Sequence, residues 1–335
     1  MKKLAIGVDI GGINTAFGLV DENGDLYAES VISTKKYPYV DDYPAYVEDL
    51  CDSMRALAQS LSFEYELTGI GIGAPNANYH KGTIETPANL WKFKEGDPNP
   101  DESRRVFPLA DDISKCFGGV KTLITNDANA ATIGEMIYGN AKGMRDFIMI
   151  TLGTGLGSGF VANGEMVYGH DGFAGEFGHI PFFDNEIICS CGKKGCLETE
   201  VSGIAIEDKM CHLIQKGVNT ILKEKYDQQK TIHIDDIITA AKNDDNLSIE
   251  LIEEAGEKVG KAVAFLINTF NPETVIVGGN LAAAGDYIML PLKSATNKYS
   301  LNLVYKDTKF RVSKMTENAN AWGVAMLIRN KIIGL

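Results

Sequence analysis

The residues whose types and spacing most clearly indicate a chemical role are one histidine and three cysteines that lie close together in the chain. They are His179, Cys189, Cys191 and Cys196. One imidazole and three thiolates are the four ligands of a closed, tetrahedral zinc site. The glycines at 192 and 195 let the backbone turn tightly enough for the thiolates to converge. The pattern therefore predicts a structural zinc ion.

Two carboxylates in the same stretch are not needed as metal ligands. Glu176 precedes the histidine, and Glu198 follows the last cysteine. A metal site that fixes two additional carboxylates is typical of the wall of a binding site. The alternative is that both are solvated surface charges, and their closeness to the predicted metal ligands disfavours it.

Three glycine-containing turns follow predicted strands and could bind phosphate through backbone N–H groups. They are Asp9-Ile10-Gly11-Gly12, Leu152-Gly153-Thr154-Gly155-Leu156-Gly157 and Val277-Gly278-Gly279. A single turn of this kind usually serves geometry alone, but three in order favour a nucleotide. None ends in the Gly-Lys-Ser/Thr of a P-loop. Asp9 is suited to hold a magnesium-bound water beside the first turn.

The elements that position these residues follow from hydrophobic runs and from glycines that punctuate them. A strand–turn–strand–turn pattern occurs at 7–24 and again at 148–164, which indicates two related halves. Further strands are predicted over 26–33, 68–73, 120–125 and 274–277, and helices over 42–60, 127–138, 249–270 and 319–330. Residues 92–105, rich in proline and charge, are predicted to form an exposed insertion near the mouth of a cleft.

Length, charge and apolar pattern restrict the class of protein. A chain of 335 residues predicts two domains or lobes. A net charge of −13 argues against nucleic-acid and anionic-membrane partners. No apolar run reaches membrane-spanning length, and the first one is interrupted by Asp9 too early for a signal peptide. A reducing cytoplasm is expected, where thiolates bind metal rather than form disulfides.

Together, these motifs resemble the ROK family of sugar kinases and repressors, within the actin, Hsp70 and hexokinase superfamily. The Cys/His spacing resembles the family's zinc motif, and the three glycine turns resemble its two phosphate motifs and its adenosine motif. The segment Asn126-Asp127-Ala128-Asn129 resembles the catalytic segment. Thr86-Pro87-Ala88-Asn89-Leu90 is similar to the sugar-contacting Thr-Pro-Asn-Leu, with an alanine inserted. The resemblance covers essentially the whole chain.

The resemblance implies an α/β fold of the two-lobed, ribonuclease H-like (actin/hexokinase) type, with a central cleft and mixed sheets flanked by helices. The small N-terminal lobe is expected to comprise residues 1–124 plus 318–335. The large C-terminal lobe, with the zinc site, is expected to comprise residues 125–317. Family members commonly form dimers, so a homodimer is also expected.

The activity implied by the resemblance is transfer of the γ-phosphoryl group of MgATP to the 6-hydroxyl of a hexose. Asp127, at a predicted strand–helix junction, would be the catalytic base, and the alternative is that it only caps the helix. The residues implied to contact the sugar are Gly73, Ala74, Asn89, Asn126, Asp127, Glu176, His179 and Glu198. Those implied to bind the nucleotide and its magnesium are Asp9, Gly11, Gly12, Asn14, Gly153, Thr154, Gly155, Gly278 and Gly279.

The chain departs from the family pattern at the first phosphate motif. That motif usually reads Gly-Gly-Thr, whereas Ile13 follows the two glycines here. Asn14 or Thr15 is expected to replace the missing hydroxyl. Thr15 is two residues further along the chain, so it should face the same side of the strand.

The substrate and the class of function are both open at this point. Glucose is the first choice, because the set Glu176, His179 and Glu198 resembles that of glucokinases. N-acetylmannosamine, fructose and allose are also possible substrates. A repressor is expected to carry its own N-terminal helix-turn-helix, whereas the first phosphate motif here begins at residue 7. Two further classes are a sugar-binding protein without catalysis and a zinc hydrolase, and the hydrolase would need an open coordination position.

Overall fold

The computed structural model describes residues 1–87 and 90–313. Their Cα positions cluster into two compact units, one of residues 1–143 and 166–174 and the other of residues 144–165 and 175–313. The lobe boundary predicted after residue 124 falls inside the first unit. Compact units need not coincide with functional lobes, so the two lobes stay a prediction. The predicted helix over 319–330 lies outside the described residues.

The first unit contains two sheets and three helices. In chain order, its elements are β1 (Lys2–Ile10), β2 (Asn14–Val20), β3 (Leu26–Ser33), α1 (Tyr43–Gln59), β4 (Tyr65–Gly73), β5 (Ala77–Asn78), β6 (Thr83–Glu85), β7 (Val106–Phe107), α2 (Leu109–Cys116), β8 (Thr122–Thr125) and α3 (Asp127–Ile137). The larger sheet has the order β3-β2-β1-β4-β8, and the smaller has the order β5-β6-β7. Strands β1, β4 and β8 are parallel, so their carboxyl ends lie at one edge of the sheet.

Helix α1 covers the larger sheet with the apolar stripe that the sequence predicts. Tyr46, Leu50 and Met54 are each fully buried, and their spacing of four residues places them on one face of the helix. They belong to the same hydrophobic cluster as Ile6 of β1 and Ile72 of β4. This packing fixes the strands whose ends carry the candidate site.

The predicted insertion over 92–105 is largely exposed, as expected, but it is tied to the chain before α1. The N–H of Lys92 donates to the carbonyl of Pro38, and the carbonyl of Lys92 accepts from Val40. Arg104 pairs with Asp97 and with Asp41. The segment is therefore anchored at both ends, and its predicted place beside a cleft stays a prediction.

The remaining elements include a second five-stranded sheet, whose strand pairing repeats that of the first. These elements are β9 (Phe147–Leu152), β10 (Leu156–Ala162), β11 (Glu165–Met166), α4 (Glu198–Val201), α5 (Gly203–Gln215), α6 (Lys223–Gln229), α7 (Ile234–Lys242), α8 (Asn246–Phe270), β12 (Thr274–Gly278), α9 (Asp286–Tyr299), α10 (Asn302–Tyr305) and β13 (Lys309–Val312). The second sheet has the order β11-β10-β9-β12-β13. Strand β9 is antiparallel to β10 and parallel to β12, just as β1 is antiparallel to β2 and parallel to β4. The predicted internal repeat is confirmed.

Helices α8 and α9 pack closely because two glycines of α8 face the backbone of α9. A Cβ atom at Gly256 would lie 2.6 Å from the carbonyl oxygen of Ile288, and one at Gly260 would overlap the carbonyl oxygen of Leu292. The hydroxyl of Thr296 also donates to the carbonyl of Gly260, at 3.0 Å. The absence of side chains at these two positions allows the close approach.

We expect Gly260→Ala to lower the free energy of unfolding by about 1–3 kcal/mol, because the added methyl group overpacks the contact with α9. Thermal unfolding followed by circular dichroism measures the change. Glu257→Ala, at an exposed position of the same helix, is the matched control and should alter stability by about 0.5 kcal/mol or less. An alanine at an unhindered helical glycine usually stabilises, so a higher melting temperature for Gly260→Ala would contradict the described packing.

No helix within the described ranges is both long enough and apolar enough to cross a lipid bilayer.

Candidate functional site

The carboxyl ends of three parallel strands bring several predicted site residues to one edge of the first sheet. Asp9 of β1 is in register with Gly73 of β4, and Gly73 is in register with Thr125 of β8. Asn126 and Asp127 follow Thr125 directly. Ligands of α/β sheets bind outside the carboxyl ends of the strands. The candidate magnesium, sugar and catalytic residues of this unit therefore share one edge.

Asp127 is the first residue of α3, and Asn126 is the residue that caps the helix. The side-chain oxygen of Asn126 accepts a hydrogen bond from the N–H of Ala128 at 2.8 Å. Asp127 Oδ1 lies at the same distance from that N–H group. Because Asn126 already serves as the N-cap, capping alone does not explain an aspartate at position 127.

The carboxyl group of Asp127 is poised to accept a proton more readily than an ordinary aspartate. Desolvation by the surrounding protein raises its pKa, and the hydrogen bond from the Ala128 N–H opposes that rise only in part. The side chain nevertheless keeps solvent-exposed surface, so a substrate can reach it. A carboxyl group with a raised pKa that remains accessible is suited to general-base catalysis.

Two further residues at this edge were predicted to offer backbone groups to a sugar. The N–H of Ala74 donates to the carbonyl of Thr125 at 3.0 Å and so extends the pairing of β4 with β8. Its N–H is therefore used within the sheet and is not available to a ligand. Asn89, another predicted sugar contact, lies outside the described residues.

The first phosphate turn is exposed, and one expectation about it is wrong. Gly12, Ile13 and Asn14 are exposed, and Ile13 has 67% of its surface accessible. Thr15 is fully buried, and its hydroxyl lies 2.8 Å from each of the hydroxyls of Thr34 and Tyr46. Strand β2 begins only at Asn14, so the alternation of faces does not extend back to Ile13. Thr15 cannot replace the missing hydroxyl, whereas Asn14 remains a candidate.

The second phosphate turn is tightly closed and is held from outside. Within the turn, the N–H of Gly153 donates to the carbonyl of Gly155 at 3.0 Å. The carbonyl of Gly153 also accepts from the N–H of Gly203, the first residue of α5, at 2.7 Å. Thr154 at the tip is exposed. Gly203 is not among the predicted site residues, although the serine before it is a recognisable N-cap signal for the start of α5.

The third glycine turn packs against the second. Gly279 has a φ of 84°, and a Cβ atom there would overlap the backbone of Leu152. A Cβ atom at Gly153 would in turn lie 3.6 Å from Oδ1 of Asn280. A short 3-10 helix, Asn280–Ala284, follows this turn before α9 begins. The structure thus brings Gly153 and Gly279 together at the ends of the neighbouring parallel strands β9 and β12.

The histidine and the three cysteines converge as predicted. Their ligand atoms all lie within 4.8 Å of one another. Cys191 Sγ and Cys196 Sγ are 3.6 Å apart, and Cys189 Sγ is 3.4 Å from His179 Nδ1. Tetrahedral zinc with bonds of about 2.3 Å to sulfur and about 2.0 Å to nitrogen would separate its ligand atoms by about 3.5–3.8 Å. The donor set and its spacing fit a zinc ion.

The two glycines of this cluster adopt the conformations that the sequence predicts. Gly192 and Gly195 have φ angles of 80° and 74°, which L-amino acids with side chains rarely adopt. The turn between Cys189 and Gly192 is closed by a backbone hydrogen bond of 2.8 Å. These glycines allow three thiols from a short segment to face a common centre.

The two carboxylates beside the cluster have different surroundings. Glu176 is exposed, and its Oε2 lies 3.9 Å from Nε2 of His179. Since Nδ1 of His179 faces the cysteines, Nε2 faces the side of Glu176. Glu198 is half-buried, with Oε1 3.9 Å from Cys189 Sγ and Oε2 accepting from the N–H of Leu156 at 2.8 Å. Glu198 is therefore not a solvated surface charge, because it is tied to the second phosphate turn.

Comparison with known proteins places these observations in a family. The ROK family model matches residues 5–331. A glucokinase of Halalkalibacterium halodurans is 30% identical over 330 residues, covering 97% of this chain and 95% of the relative. The crystal structure of a ROK family glucokinase from Streptomyces griseus, in complex with glucose and AMPPNP, has a TM-score of 0.78 and 28% identity. It covers 98% of this chain and 99% of that one.

A regulatory protein is similar as well. The crystal structure of a ROK family transcriptional regulator, a homologue of the Escherichia coli MLC protein, has a TM-score of 0.85 and 25% identity. It covers 98% of this chain and 78% of the regulator. The mixed sheets flanked by helices are those of the actin/hexokinase fold that ROK sugar kinases share. The chain belongs to the ROK family. Family membership alone does not separate catalysis from regulation, so the function depends on the site residues.

Proposed function

We propose that this protein is an ATP-dependent hexose kinase that phosphorylates the 6-hydroxyl of its sugar, with glucose as the first candidate. The observation that carries the proposal is the carboxyl group of Asp127. It has a raised pKa, it is not needed as the helix cap, and it lies at the sheet edge that also carries Asp9. Similarity to glucokinases supports the choice of glucose.

In the proposed reaction, Asp127 orients the 6-hydroxyl and accepts its proton. The oxygen of that hydroxyl forms a bond to the γ-phosphorus of ATP, while the bond from this phosphorus to the bridging oxygen breaks and ADP leaves. The protein contributes alignment and charge stabilisation, which are the main sources of catalysis in phosphoryl transfer. The raised pKa of Asp127 strengthens it as a proton acceptor relative to an ordinary aspartate.

The sugar would be recognised by carboxylate and imidazole groups beside the cysteine cluster. Each carboxylate can accept hydrogen bonds from two neighbouring hydroxyls, which suits Glu176 and Glu198. With its Nδ1 turned to the cysteines, His179 can offer Nε2–H to a sugar oxygen. A bound zinc ion would supply the cross-link that keeps these side chains in place. Asn89, Asn126 and the carbonyls of residues 73 and 74 complete the proposed contacts.

The nucleotide would be held by backbone groups of the three glycine turns. The turns at Gly153 and Gly279 lie against each other, which suits a ligand that spans the phosphate and adenosine motifs. Asp9 has the oxygen ligands that Mg²⁺ prefers and would hold the ion through water. Magnesium, when bound, neutralises charge on the phosphate oxygens. A homodimer in the cytoplasm is part of the same proposal.

A panel of hexoses tests this function. With MgATP fixed, a coupled assay of ADP release should show turnover with glucose, and the highest kcat/KM should identify the substrate among glucose, N-acetylmannosamine, fructose and allose. Mass spectrometry of the product should show one added phosphoryl group on the 6-oxygen. Glucose binding in calorimetry without ADP release for any sugar would contradict a kinase.

A sugar-binding protein without catalysis is the second candidate, and one observation favours it. Ile13 replaces the usual threonine of the first phosphate motif, and the neighbouring Thr15 hydroxyl is engaged inside the core. The first turn therefore offers fewer polar side-chain groups to a phosphate. The same ADP-release assay decides between the two candidates.

A further inference from the structure

The chain that follows the last cysteine holds the second phosphate turn by two hydrogen bonds. Oε2 of Glu198 accepts from the N–H of Leu156 at 2.8 Å, and the N–H of Gly203 donates to the carbonyl of Gly153 at 2.7 Å. Glu198 and Gly203 are joined by the single short helix α4. Both ends of the turn are therefore fastened to one short segment, 198–203.

The same segment is fastened to the cysteine cluster at its other end. Cys196 is fully buried, and its Sγ is 3.6 Å from Cys191 Sγ. The N–H of Leu197 donates to the carbonyl of Ile180, the residue after His179. Oε1 of Glu198 lies 3.9 Å from Cys189 Sγ. The carboxyl group of Glu198 thus lies between the cluster and the phosphate turn.

The glycine at position 155 shows how closely this carboxyl group packs on the turn. A Cβ atom at Gly155 would overlap Oε2 of Glu198. Gly155 does not have the positive φ that would by itself require a glycine. A side chain at position 155 would therefore displace the carboxyl group of Glu198 from its place against the turn.

We propose that Glu198 is a positioning residue that fixes the turn Gly153–Leu156 for the nucleotide phosphates, and that segment 196–203 couples the cysteine cluster to that turn. The proposal rests on the proposed function in so far as the turn receives phosphates. It assigns to Glu198 a second role, directed at the nucleotide, beside the sugar contact expected from the sequence. Disorder in the cluster would consequently weaken nucleotide binding as well as sugar binding.

Two variants of Glu198 and one control test this role. Glu198→Ala removes the acceptor of the Leu156 N–H, whereas Glu198→Gln keeps a side-chain oxygen in the same place. Glu200→Gln is the matched control, because Glu200 lies in the same short helix but contacts Asn185 and Lys258 and not the turn. All three are prepared as full-length protein and checked for retained metal content.

Two measurements are made without sugar, so that a sugar contact cannot produce the effect. Calorimetry with MgAMPPNP should show binding weakened about tenfold in Glu198→Ala, the loss expected for one hydrogen bond to a charged group. The Gln variant should lose about threefold or less, and the control should match the wild type. Hydrogen exchange of the peptide containing Leu156 should be faster in Glu198→Ala than in the wild type, without any ligand.

The outcomes separate this proposal from the proposed function. Unchanged MgAMPPNP affinity and unchanged exchange in Glu198→Ala would overturn the positioning role. Kinase activity measured for the wild-type protein would leave the kinase proposal intact in that case. Wild-type protein that binds no MgAMPPNP would overturn both. If Glu198→Ala fails to fold, Glu198→Asp decides, because it keeps the charge but shortens the side chain and withdraws its oxygen from the N–H of Leu156. Exchange of the turn peptide and MgAMPPNP affinity that both stay at the wild-type level in Glu198→Asp would reject the role.

Discussion

Asp127→Asn should retain sugar binding and lose turnover by about two to four orders of magnitude, the usual contribution of a general base. The amide has nearly the same size and shape as the carboxyl group, and its oxygen can still accept from the N–H of Ala128. It cannot accept the proton of the sugar hydroxyl at neutral pH. Calorimetry with glucose and the coupled ADP-release assay measure the two quantities separately.

The control for this variant is another aspartate in the first turn of a helix. Asp111 lies in the first turn of α2 and is exposed. Asp111→Asn likewise removes a carboxylate from the first turn of a helix, and it should keep wild-type turnover, because Asp111 does not belong to the proposed site. Near-normal turnover of Asp127→Asn would remove Asp127 from the proposed role.

The pH dependence of the wild type gives a second check on Asp127. Since the pKa of Asp127 is raised, kcat/KM should fall on the acid side with an inflection above the ordinary aspartate value of about 3.9. The effect of pH on the free energy of unfolding has the opposite sign to that of a salt-bridged carboxylate, whose pKa is lowered by folding. A raised folded-state pKa stabilises the protein below the unfolded-state pKa, and this contribution is lost as pH rises through the folded-state value.

The strands and glycine turns could be predicted from sequence because their signals are local. Strand β3 has the bounds that its apolar run predicts, and strand β12 exceeds its predicted range only by Gly278. The glycines at 192 and 195 have the positive φ angles expected of a tight metal-binding turn. The pairing of β9 with β10 and β12 follows from a repeated pattern of short elements, and such repeats are visible without knowledge of distant contacts.

Other features depend on contacts between distant parts of the chain and could not be predicted. The side chain of Thr15 points into the core because Tyr46 and Thr34 provide partners for its hydroxyl there. The sequence shows the alternation of a strand but not the residue at which it begins. In the same way, the bond between Glu198 and the N–H of Leu156 joins residues 42 positions apart. Such a contact forms only when the chain has folded, so no local sequence pattern indicates it.

The resemblance to a family supplied what local patterns could not. From its position alone, Asp127 is better explained as a helix cap, and only the resemblance, together with the phosphate turns and the cysteine cluster, favoured a catalytic role. In the structure Asn126 is the cap, so capping alone does not account for Asp127. The helices α5, α6 and α7 were not predicted. Helices α5 and α7 pack against α8, and α7 also packs against the 3-10 helix that follows β12.

Cys191→Ser should lower the zinc content and the affinity for glucose together. Cys191 is exposed, so the substitution removes a metal ligand with little loss of core packing. Residues 180–197 form no helix or strand, and their backbone is held by two isolated β-bridges and by a few hydrogen bonds of turns. A tetrahedral metal would add a cross-link between the parts of this irregular segment. Because Cys191 is a predicted ligand, metal affinity should fall by more than the factor of about 10–100 that replacement of an outer-shell partner costs.

Elemental analysis of the purified protein and glucose calorimetry measure the two losses. Cys211→Ser is the matched control, because Cys211 is a partly buried cysteine of α5 that does not belong to the cluster. It should keep both the zinc and the affinity. Because His179 and Glu198 contact the cluster directly, the order of the sugar wall should depend on the metal. Full loss of zinc with unchanged glucose affinity would show that these side chains hold their places without it, and the cluster would then serve only the stability of its own loop.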